Sequence, residues 1–555
     1  MVSLKQFKNT IPIIITVSLF CLFFSPYHAL TKHKLFADDA SYLAHGFTLG
    51  LDGDLQYKDS VADWKTPNQK AAAHPIGPGV MASPFIAAFS TIDKLTHHPV
   101  ITEHTQYQYS WSFFGFVFSS IFFFIAGVCC YAKAADLLAF KLSRLHLLFI
   151  SSSFGILYYV LFRPVMGHSF EFFTMALCFW ASCKIYFDIT RHKINYLVTL
   201  LCALSLILTL QIRPSDINVL LLPLIVVGFL WVQREKGMDS KTAKYSLSIM
   251  GLGLLCLLLC FIPFLLINQY LYGMFYPSAN AMYGPTPVPA IANVSDFIGT
   301  LIVLISRLPH ILTICFSSEF GLAFSSAILL LGTGFLTIIL FNRICQKNLL
   351  ALVILGVVGL YIALPVTITL FWQSLGDAYG YRFFFCLFPI AFLGYGAWHQ
   401  QLIAKYDAFK NFPLSAKLCQ GITLLLCCYS LVGNVLFGLN SDLLYKPGIT
   451  NSFGREGGSA VGYNFEVLRA IPKGATWVSL AATRTPGFLA VGLLDMLDVD
   501  IQQLNLPETI VQKYEKLADY EHPPWHTYCQ ALLLGLLFVG GYSLLLKRDF
   551  TNKAS

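Results

Sequence analysis

The sequence has little charge for its length. Asp, Glu, Lys and Arg together make up 12% of its 555 residues, whereas 56% of the residues are hydrophobic and 15% are aromatic. A soluble domain carries about 25% charged residues, so half that share leaves too little polar surface for a water-facing protein of this size. The composition therefore excludes an ordinary soluble globular protein and favours one that is embedded in a membrane.

Cysteine is absent from the two long polar segments, about 31–107 and 438–526, although the chain has 15 cysteines. Most of them stand inside apolar runs, where a cysteine behaves as a small buried hydrophobe, so no disulfide framework is indicated. The net charge of +8 does not indicate a nucleic-acid partner either. The Lys and Arg residues stand in short loops beside the apolar runs, where the positive-inside rule places them.

Apolar runs of 18 or more residues recur along the chain, and each is long enough to cross a bilayer. They are continuous, as in "LLCLLLCFIPFLLINQYLYG", and not alternating, so they predict helices and exclude a barrel. The predicted spans are 10–29, 109–132, 145–162, 169–187, 195–212, 216–232, 246–271, 322–342, 349–371, 381–402, 416–437 and 527–546. The stretch 299–316 is apolar but contains Arg307 and Pro309, which favours a helix at the membrane interface.

The distribution of basic residues agrees with this topology. With the N-terminus inside, every predicted inner loop contains Lys or Arg, whereas the outer connections are acidic, aromatic or rich in Gly and Pro. We therefore predict an all-α polytopic membrane protein with about 12 transmembrane helices. Residues 1–437 form the transmembrane domain with a long first outer loop (31–107), residues 438–526 form a small outer α/β segment, and residues 527–555 form the last helix and an inner tail. The first run resembles a signal peptide, but no small-x-small cleavage site follows it, which favours an uncleaved span.

The first outer loop begins with two adjacent carboxylates, Asp38 and Asp39, about ten residues beyond the first apolar run. Such a pair repels itself and needs a cation or hydrogen-bond donors to stay ionised. Asp39 alone is equally explained as the cap of a helix that begins at "ASYLAHGF". Further along, "DWKTPNQKAAAHPIGPGV" contributes Lys65 and His74, and a single loop histidine is by itself a weak signal.

Other ionisable residues stand at the outer ends of the predicted spans. They are Arg163, His168, Glu171, Arg213, Asp216, Glu319, Asp377 and Arg382. Some of them also have purely structural explanations: Glu171 can cap its helix, and Arg213 can form an ion pair with Asp216. All of them share one bilayer depth. The phosphate of a polyprenyl phosphate lies at this depth when its tail is buried in the lipid. Arginine binds phosphate in two-point fashion, and a carboxylate can take a proton from an attacking hydroxyl.

Six motifs in this order resemble one family. They are Asp38–Asp39, "GHSFEFF", "RPSDIN", "QYLYGMFYPS", "FSSEFGLAFSSAILLL" and "GDAYGYRFFF". The sequence is similar, over roughly residues 10–400, to the membrane-embedded glycosyltransferases with the C-type fold. These include the bacterial polyprenyl-phosphate-sugar transferases, such as the aminoarabinose lipid A transferase, and the protein O-mannosyltransferases.

The resemblance implies an inverting transfer from a polyprenyl-phosphate-linked sugar to a lipid, glycan or protein acceptor, on the periplasmic side of a bacterial inner membrane. Asp38 would be the general base. The family usually has Asp-Glu or Glu-x-Asp at this place, so Asp39 stays the other catalytic candidate. Arg382, with Arg213 or Lys65, would bind the donor phosphate.

The remaining predicted pocket residues are His74, His168, Glu171, Glu319 and Tyr381. No cofactor is required by the resemblance, but some relatives use a divalent cation, and Asp38, His168 and Glu171 are the candidate ligands for Mg²⁺ or Mn²⁺. Two alternatives stay open: a transporter or lipid flippase, and a ligase or polymerase of polysaccharides. Transporters place ionisable groups near the bilayer midplane, and the gathering of charge at the outer surface favours surface chemistry instead.

Overall fold

The structure is a computed structural model. It describes residues 37–57, 71–72, 74–96, 110–140, 142, 144–234, 240–276, 294–316, 321–372, 382–409 and 414–439, and the isolated positions 15, 18, 507, 508 and 511. This part of the chain is helical and contains no strand. The predicted outer α/β segment and the predicted first and last spans lie outside the described residues, apart from residues 438–439 and the isolated positions.

The helices of the N-terminal half are α1 (Ala37–Phe47), α2 (Gly77–Leu95), α3 (Trp111–Leu137), α4 (Arg144–Ser152), α5 (Ile156–Phe162), α6 (His168–Thr190), α7 (Tyr196–Ile212) and α8 (Leu222–Gln233). Those that follow are α9 (Ser240–Tyr272), α10 (Val294–Arg307), α11 (His310–Phe316), α12 (Leu322–Ser325), α13 (Ala327–Cys345), α14 (Leu349–Trp372), α15 (Phe388–Phe409) and α16 (Leu414–Leu439). A π-helical turn, Thr48–Asp52, extends α1, and 3-10 stretches at Pro214–Leu221 and Arg382–Leu387 lead into α8 and α15.

Six helices of the described part are long and apolar enough to cross a membrane. They are Trp111–Leu137, His168–Thr190, Pro214–Gln233, Ser240–Tyr272, Ala327–Cys345 and Leu349–Phe371. A seventh is added if α10 and α11, which are bent by 53° relative to each other, count as one span. These helices are compatible with a multi-pass membrane protein, whereas the full count of twelve spans stays a prediction.

One predicted span and the predicted interface helix are each divided in the structure. The stretch 145–162 is divided between the short helices α4 and α5, because the chain leaves the helix at residues 153–155. At this break the amide of Gly155 donates a hydrogen bond to Ser326 Oγ at 3.1 Å, and a Cβ on Gly155 would lie 2.8 Å from the Phe385 ring. The predicted interface helix at 299–316 is the bent pair α10–α11, which breaks before Pro309 and His310.

The core of the bundle is aromatic and contains one very close helix crossing. The ring of Tyr131 on α3 packs against those of Phe388 and Phe392 on α15 at centroid distances of 4.9 and 5.0 Å. On its other side α15 crosses α13, where a Cβ on Gly394 would lie 2.1 Å from the carbonyl oxygen of Gly332. The two backbones are in contact there, as small residues permit in membrane helix pairs.

The segment that the sequence predicts as the first outer loop is tied to the bundle through α2. The buried carboxylate of Asp93 near the end of α2 accepts hydrogen bonds from the backbone amides of Trp111 and Ser112, both at 2.8 Å. These amides belong to the first turn of α3, which has no intrahelical acceptor for them. Asp93 therefore caps α3 from a distant segment and fixes α2, and with it α1, against the transmembrane helices.

One end of the bundle collects the segments that carry most of the predicted site. Here α5 ends at Phe162 and α6 begins at His168, while α7 ends at Ile212 and the 3-10 stretch begins at Pro214. The second 3-10 stretch begins with Arg382 at the start of α15. Polar side chains of these segments contact one another, since Arg213 bonds Glu171 and the backbone carbonyl of Arg382.

Candidate functional site

Asp38 stands in the first turn of α1 and is held by two partners. Its Oδ1 lies 3.1 Å from Nε2 of His74, and its Oδ2 accepts a hydrogen bond from Nη1 of Arg382 at 3.2 Å. The side chain of Asp38 is 29% exposed and that of Arg382 is 19% exposed. Burial by itself raises the pKa of Asp38, but His74, Arg382 and Arg163 outweigh burial and hold this pKa well below its usual range.

Asp39 faces a different environment, although it is the next residue. Successive residues of a helix point about 100° apart, and the Asp39 side chain turns inward, where it is 3% exposed. Its Oδ2 accepts a hydrogen bond from Nη2 of Arg163 at 3.0 Å, and its Oδ1 has no hydrogen-bond partner among the residues that the structure describes. Burial raises the pKa of Asp39, against the opposing effect of the Arg163 guanidinium.

His74 is fixed through its own backbone. Its carbonyl oxygen accepts hydrogen bonds from Nε2 of His45 at 2.6 Å and from the hydroxyl of Tyr272 at 2.8 Å. Nδ1 of His45 lies 2.6 Å from the hydroxyl of Tyr57, so the network assigns the His45 proton to Nε2. Burial lowers the pKa of His45 to about 4, against the hydrogen bond to His74, which keeps this histidine neutral.

Two glycines let the chain after His74 approach its neighbours. A Cβ on Gly79 would lie 2.4 Å from Cβ of His45, and a Cβ on Gly77 would lie 2.5 Å from the carbonyl carbon of Gln211. Real Cβ atoms do not come this close to such atoms, so the start of α2 can touch α1 and the end of α7 only without side chains at these positions. The contact places His74 within reach of Asp38.

A second polar cluster lies at the start of α6. Oε2 of Glu171 lies 3.0 Å from Nδ1 of His168 and 3.1 Å from Nη1 of Arg213. Nε of Arg213 lies 3.9 Å from Oδ2 of Asp216. All four side chains are buried, and in a low-dielectric interior such groups persist only where charges are paired. One guanidinium therefore lies beside two carboxylates, although its single positive charge can balance only one of them.

Arg382 connects the two clusters. Its guanidinium reaches Asp38, and its backbone carbonyl accepts a hydrogen bond from Nη1 of Arg213 at 3.2 Å. The rings of Tyr159 and Phe385 close the site on the side of His168, with centroid distances of 4.2 and 5.3 Å to its imidazole. The polar site is thus backed by an aromatic layer, and its accessible part is the Asp38–Arg382 pair.

The structure brings most of the predicted site residues together. Asp38, His74 and Arg382 form one group, and His168, Glu171 and Arg213 form the other, while Asp39 is turned away toward Arg163. The other predicted residues, Lys65, Glu319 and Tyr381, lie outside the described residues.

The structure adds three residues to the predicted set. Arg163 and Asp216 were expected at this depth but not as members of the site, and His45 was not expected at all. A signal for His45 exists in the sequence, because residues 38 and 45 are seven positions apart and so lie on one face of α1. The group that His45 contacts, the backbone carbonyl of His74, cannot be identified from the sequence.

The predicted metal ligands do not form a common group. Among the residues that the structure describes, no three His, Cys, Asp or Glu side chains are arranged to hold a metal ion. His168 and Glu171 contact each other and the cationic Arg213, whereas Asp38 contacts His74 and Arg382. An arginine thus contacts one oxygen of each of these two carboxylates, and the cation stays a prediction.

No protein-family model matches this chain, and no curated protein matches it. The resemblance to the C-type glycosyltransferases therefore rests on the six ordered motifs alone.

Proposed function

We propose that this protein is an inverting glycosyltransferase that moves a sugar from a polyprenyl-phosphate donor to a hydroxyl of a lipid, glycan or protein acceptor. The observation that supports the proposal best is the contact between Asp38 and Arg382, residues that the motifs assign to the base and to the donor phosphate. They are 344 positions apart in sequence, yet Oδ2 of Asp38 lies 3.2 Å from Nη1 of Arg382. The contact brings the two groups that such a reaction requires, a base and a phosphate-binding guanidinium, into one site.

Asp38, and not Asp39, is the general base in this proposal. A base must touch the proton that it removes, and the Asp38 side chain is 29% exposed whereas that of Asp39 is 3% exposed. Asp39 instead holds Arg163 in place at the start of the turn to α6. The hydrogen bond from His74 Nε2 orients the Asp38 carboxylate, and His45 and Tyr272 fix the backbone of His74.

The transfer follows from these positions. Asp38 takes the proton of the acceptor hydroxyl, and the oxygen attacks the anomeric carbon from the face opposite the phosphate. The bond between the anomeric carbon and the phosphate oxygen breaks, and Arg382 stabilises the negative charge on the departing polyprenyl phosphate. Asp38 then releases its proton to water. One carboxylate is enough, because no covalent sugar–enzyme intermediate forms.

Arg213 has a supporting role in this proposal. It is buried, and its guanidinium contacts Glu171, Asp216 and the carbonyl oxygen of Arg382. A donor phosphate would have to displace these partners, so we assign the phosphate contact to Arg382 and the placing of Arg382 to Arg213. The site would face the periplasm from a bacterial inner membrane, where the donor's lipid tail remains in the bilayer.

The test is the loss of transfer in Asp38→Asn. The modified glycans or lipids of cells that express the protein are compared by mass spectrometry with those of cells that express Asp38→Asn, at equal protein level. Asp54→Asn is the matched control, because Asp54 lies beyond the same helix and, among the described residues, accepts a hydrogen bond from the nearby amide of Gln56 alone. Transfer retained by Asp38→Asn would contradict the role of this residue, and a retained anomeric configuration in the product would contradict inversion.

One observation favours the transporter or flippase alternative. The chain departs from helical geometry at Asp216, with φ −90° and ψ 32°, and this break lies beside buried ionisable groups, as in many transporters. The groups lie at helix ends and not in mid-span, which favours the transferase. Flipping of a fluorescent prenyl phosphate by proteoliposomes, with no sugar transferred by the same protein, would support the alternative.

A further inference from the structure

The base of the proposed reaction has a partner at each of its two oxygens in this structure. Oδ1 of Asp38 is held by His74 and Oδ2 is held by Arg382. A carboxylate that accepts hydrogen bonds from cationic or polar donors at both oxygens is a poor proton acceptor, because these bonds favour its ionised form. Asp38 becomes a better proton acceptor when one of the two partners withdraws.

Arg382 is the partner that is able to withdraw. The side chain of His74 is 8% exposed and its backbone is fixed by two hydrogen bonds. The Arg382 side chain is 19% exposed, and the hydrogen bond from Arg213 holds its backbone carbonyl and not its guanidinium. The guanidinium can therefore leave Asp38 while the backbone of residue 382 stays in place.

The other arginines of the site are committed elsewhere. Arg163, 7% exposed, bonds the buried Asp39, and Arg213, 10% exposed, serves Glu171 and Asp216. Releasing either would leave a buried carboxylate without its cation, which is costly. Releasing Arg382 uncovers only the more exposed Asp38. A phosphate offers Arg382 a two-point contact of the kind that guanidinium groups prefer.

We infer that the Asp38–Arg382 ion pair is a lock that the phosphate of the donor opens. A phosphate monoester or diester draws the guanidinium away from Asp38, and the carboxylate is free to act as a base only once the donor is bound. The inference rests on the proposed function and specifies its order of binding: the phosphate ester first, the hydroxyl acceptor second. Acid does not open the lock in its place, because the pKa of Asp38 is held well below its usual range.

The lock has an unusual consequence for binding. In the resting protein, Asp38 competes with the phosphate for Arg382, so removing the base should tighten the binding of a phosphate ester. The probe is farnesyl phosphate, a short prenyl phosphate, added to the purified full-length chain in detergent and followed by calorimetry. We expect Asp38→Asn to bind it about three- to tenfold more tightly than the wild type, which corresponds to about one partly exposed ion pair.

A double-mutant cycle separates the lock from general charge repulsion. If Asp38 weakens binding only by repelling the phosphate, Asp38→Asn will tighten binding equally in an Arg382→Gln background; if the lock is the cause, the gain disappears there. Farnesol, which lacks the phosphate, should show no difference between the variants. Melting temperatures confirm that each variant is folded, and Asp38→Ser serves as a second substitution if Asp38→Asn fails to fold.

The outcomes distinguish the lock from the proposed function. Binding of farnesyl phosphate that is unchanged or weaker in Asp38→Asn, or a gain that persists in the Arg382→Gln background, overturns the lock and leaves the proposed transfer standing. Absence of binding to both the wild type and Asp38→Asn contradicts the donor class itself and, with it, the lock. Loss of cellular transfer in Asp38→Asn together with tighter binding is the result that both require.

Discussion

The carboxylate of Asp39 lies 3.0 Å from Nη2 of Arg163, and the two side chains are 3% and 7% exposed. The pair joins the first turn of α1 to the turn between α5 and α6. Replacing one member leaves the other charge buried with its main partner gone. Asp39→Asn should therefore lower the free energy of unfolding by about 3 kcal/mol, whereas Asp38→Asn, at a more exposed position, should lower it by about 1 kcal/mol or less.

Thermal unfolding in detergent compares the two variants directly. The double variant Asp39→Leu with Arg163→Met supplies the control, because an apolar pair of similar volume removes both charges together and should recover most of the lost stability. Equal melting temperatures for Asp39→Asn and Asp38→Asn would show that Arg163 does not depend on Asp39 as described here.

His45 should make the stability of the protein depend on pH in the mildly acidic range. Burial lowers the pKa of His45 from 6.5 to about 4. Between these two pH values His45 is therefore protonated in the unfolded chain and neutral in the folded protein. The free energy of unfolding is therefore not reduced by His45 above about pH 6.5, and it decreases as the pH falls toward 4. Between about pH 7.5 and pH 5 this amounts to about 2 kcal/mol.

The measurement is the melting temperature as a function of pH for the wild type and for His45→Gln. Glutamine keeps an N–H donor for the carbonyl of His74 but does not titrate. The wild-type curve should therefore fall more steeply than that of His45→Gln as the pH decreases. Parallel curves would indicate that His45 is protonated in the folded protein or is accessible to water.

Gly332 should tolerate no side chain. A Cβ there would lie 2.2 Å from the carbonyl oxygen of Ala391 on α15, and neither backbone can move without separating the two helices. Gly332→Ala should destabilise the bundle by about 2 kcal/mol or more. Gly334 is the matched control on the same helix, because a Cβ on it would meet nothing within 4 Å, and Gly334→Ala should be neutral or stabilising. Similar melting temperatures for the two variants would contradict the close crossing.

Arg213 should be more important to stability than either of its carboxylate partners. In Arg213→Met, Glu171 and Asp216 remain buried without their common cation, and the expected loss is about 3 to 5 kcal/mol. Adding Glu171→Gln to this variant replaces one of the two buried carboxyl groups by a neutral amide and should restore part of the loss. Denaturant unfolding measures the free energies of unfolding, which should decrease from the wild type to the double variant to Arg213→Met. A double variant less stable than Arg213→Met would show that Glu171 does not depend on Arg213.

Much of the fold could be predicted from the sequence, because long apolar runs mark helices almost unambiguously. Between residues 109 and 437 a helix lies over nearly all of each predicted span. The break at residues 153–155 could not be predicted, since it depends on a hydrogen bond between Gly155 and Ser326, 171 positions away. Whether each helix crosses the membrane is a question of tilt and depth as well as of composition.

The site could be predicted only as a group of residues at one depth. Sequence patterns identify Asp38, Arg213 and Arg382 as ionisable groups beside apolar helices, but they do not show which charges meet. Asp38 and Asp39 are indistinguishable in sequence, and their roles separate only because α1 turns one outward and the other toward Arg163. His45 was missed because its partner is a backbone carbonyl, and every residue has one, so the sequence does not show which carbonyl the side chain contacts.

The contact between Asp38 and Arg382 spans 344 positions of the chain, and this separation bears on how the protein is made. The carboxylate leaves the ribosome long before the guanidinium that covers it, and most of the helices described here are synthesised in between. During that interval Asp38 has no arginine from position 382 beside it. The site is therefore completed late in synthesis, and a chain that stops short of residue 382 has Asp38 on α1 without its arginine partner.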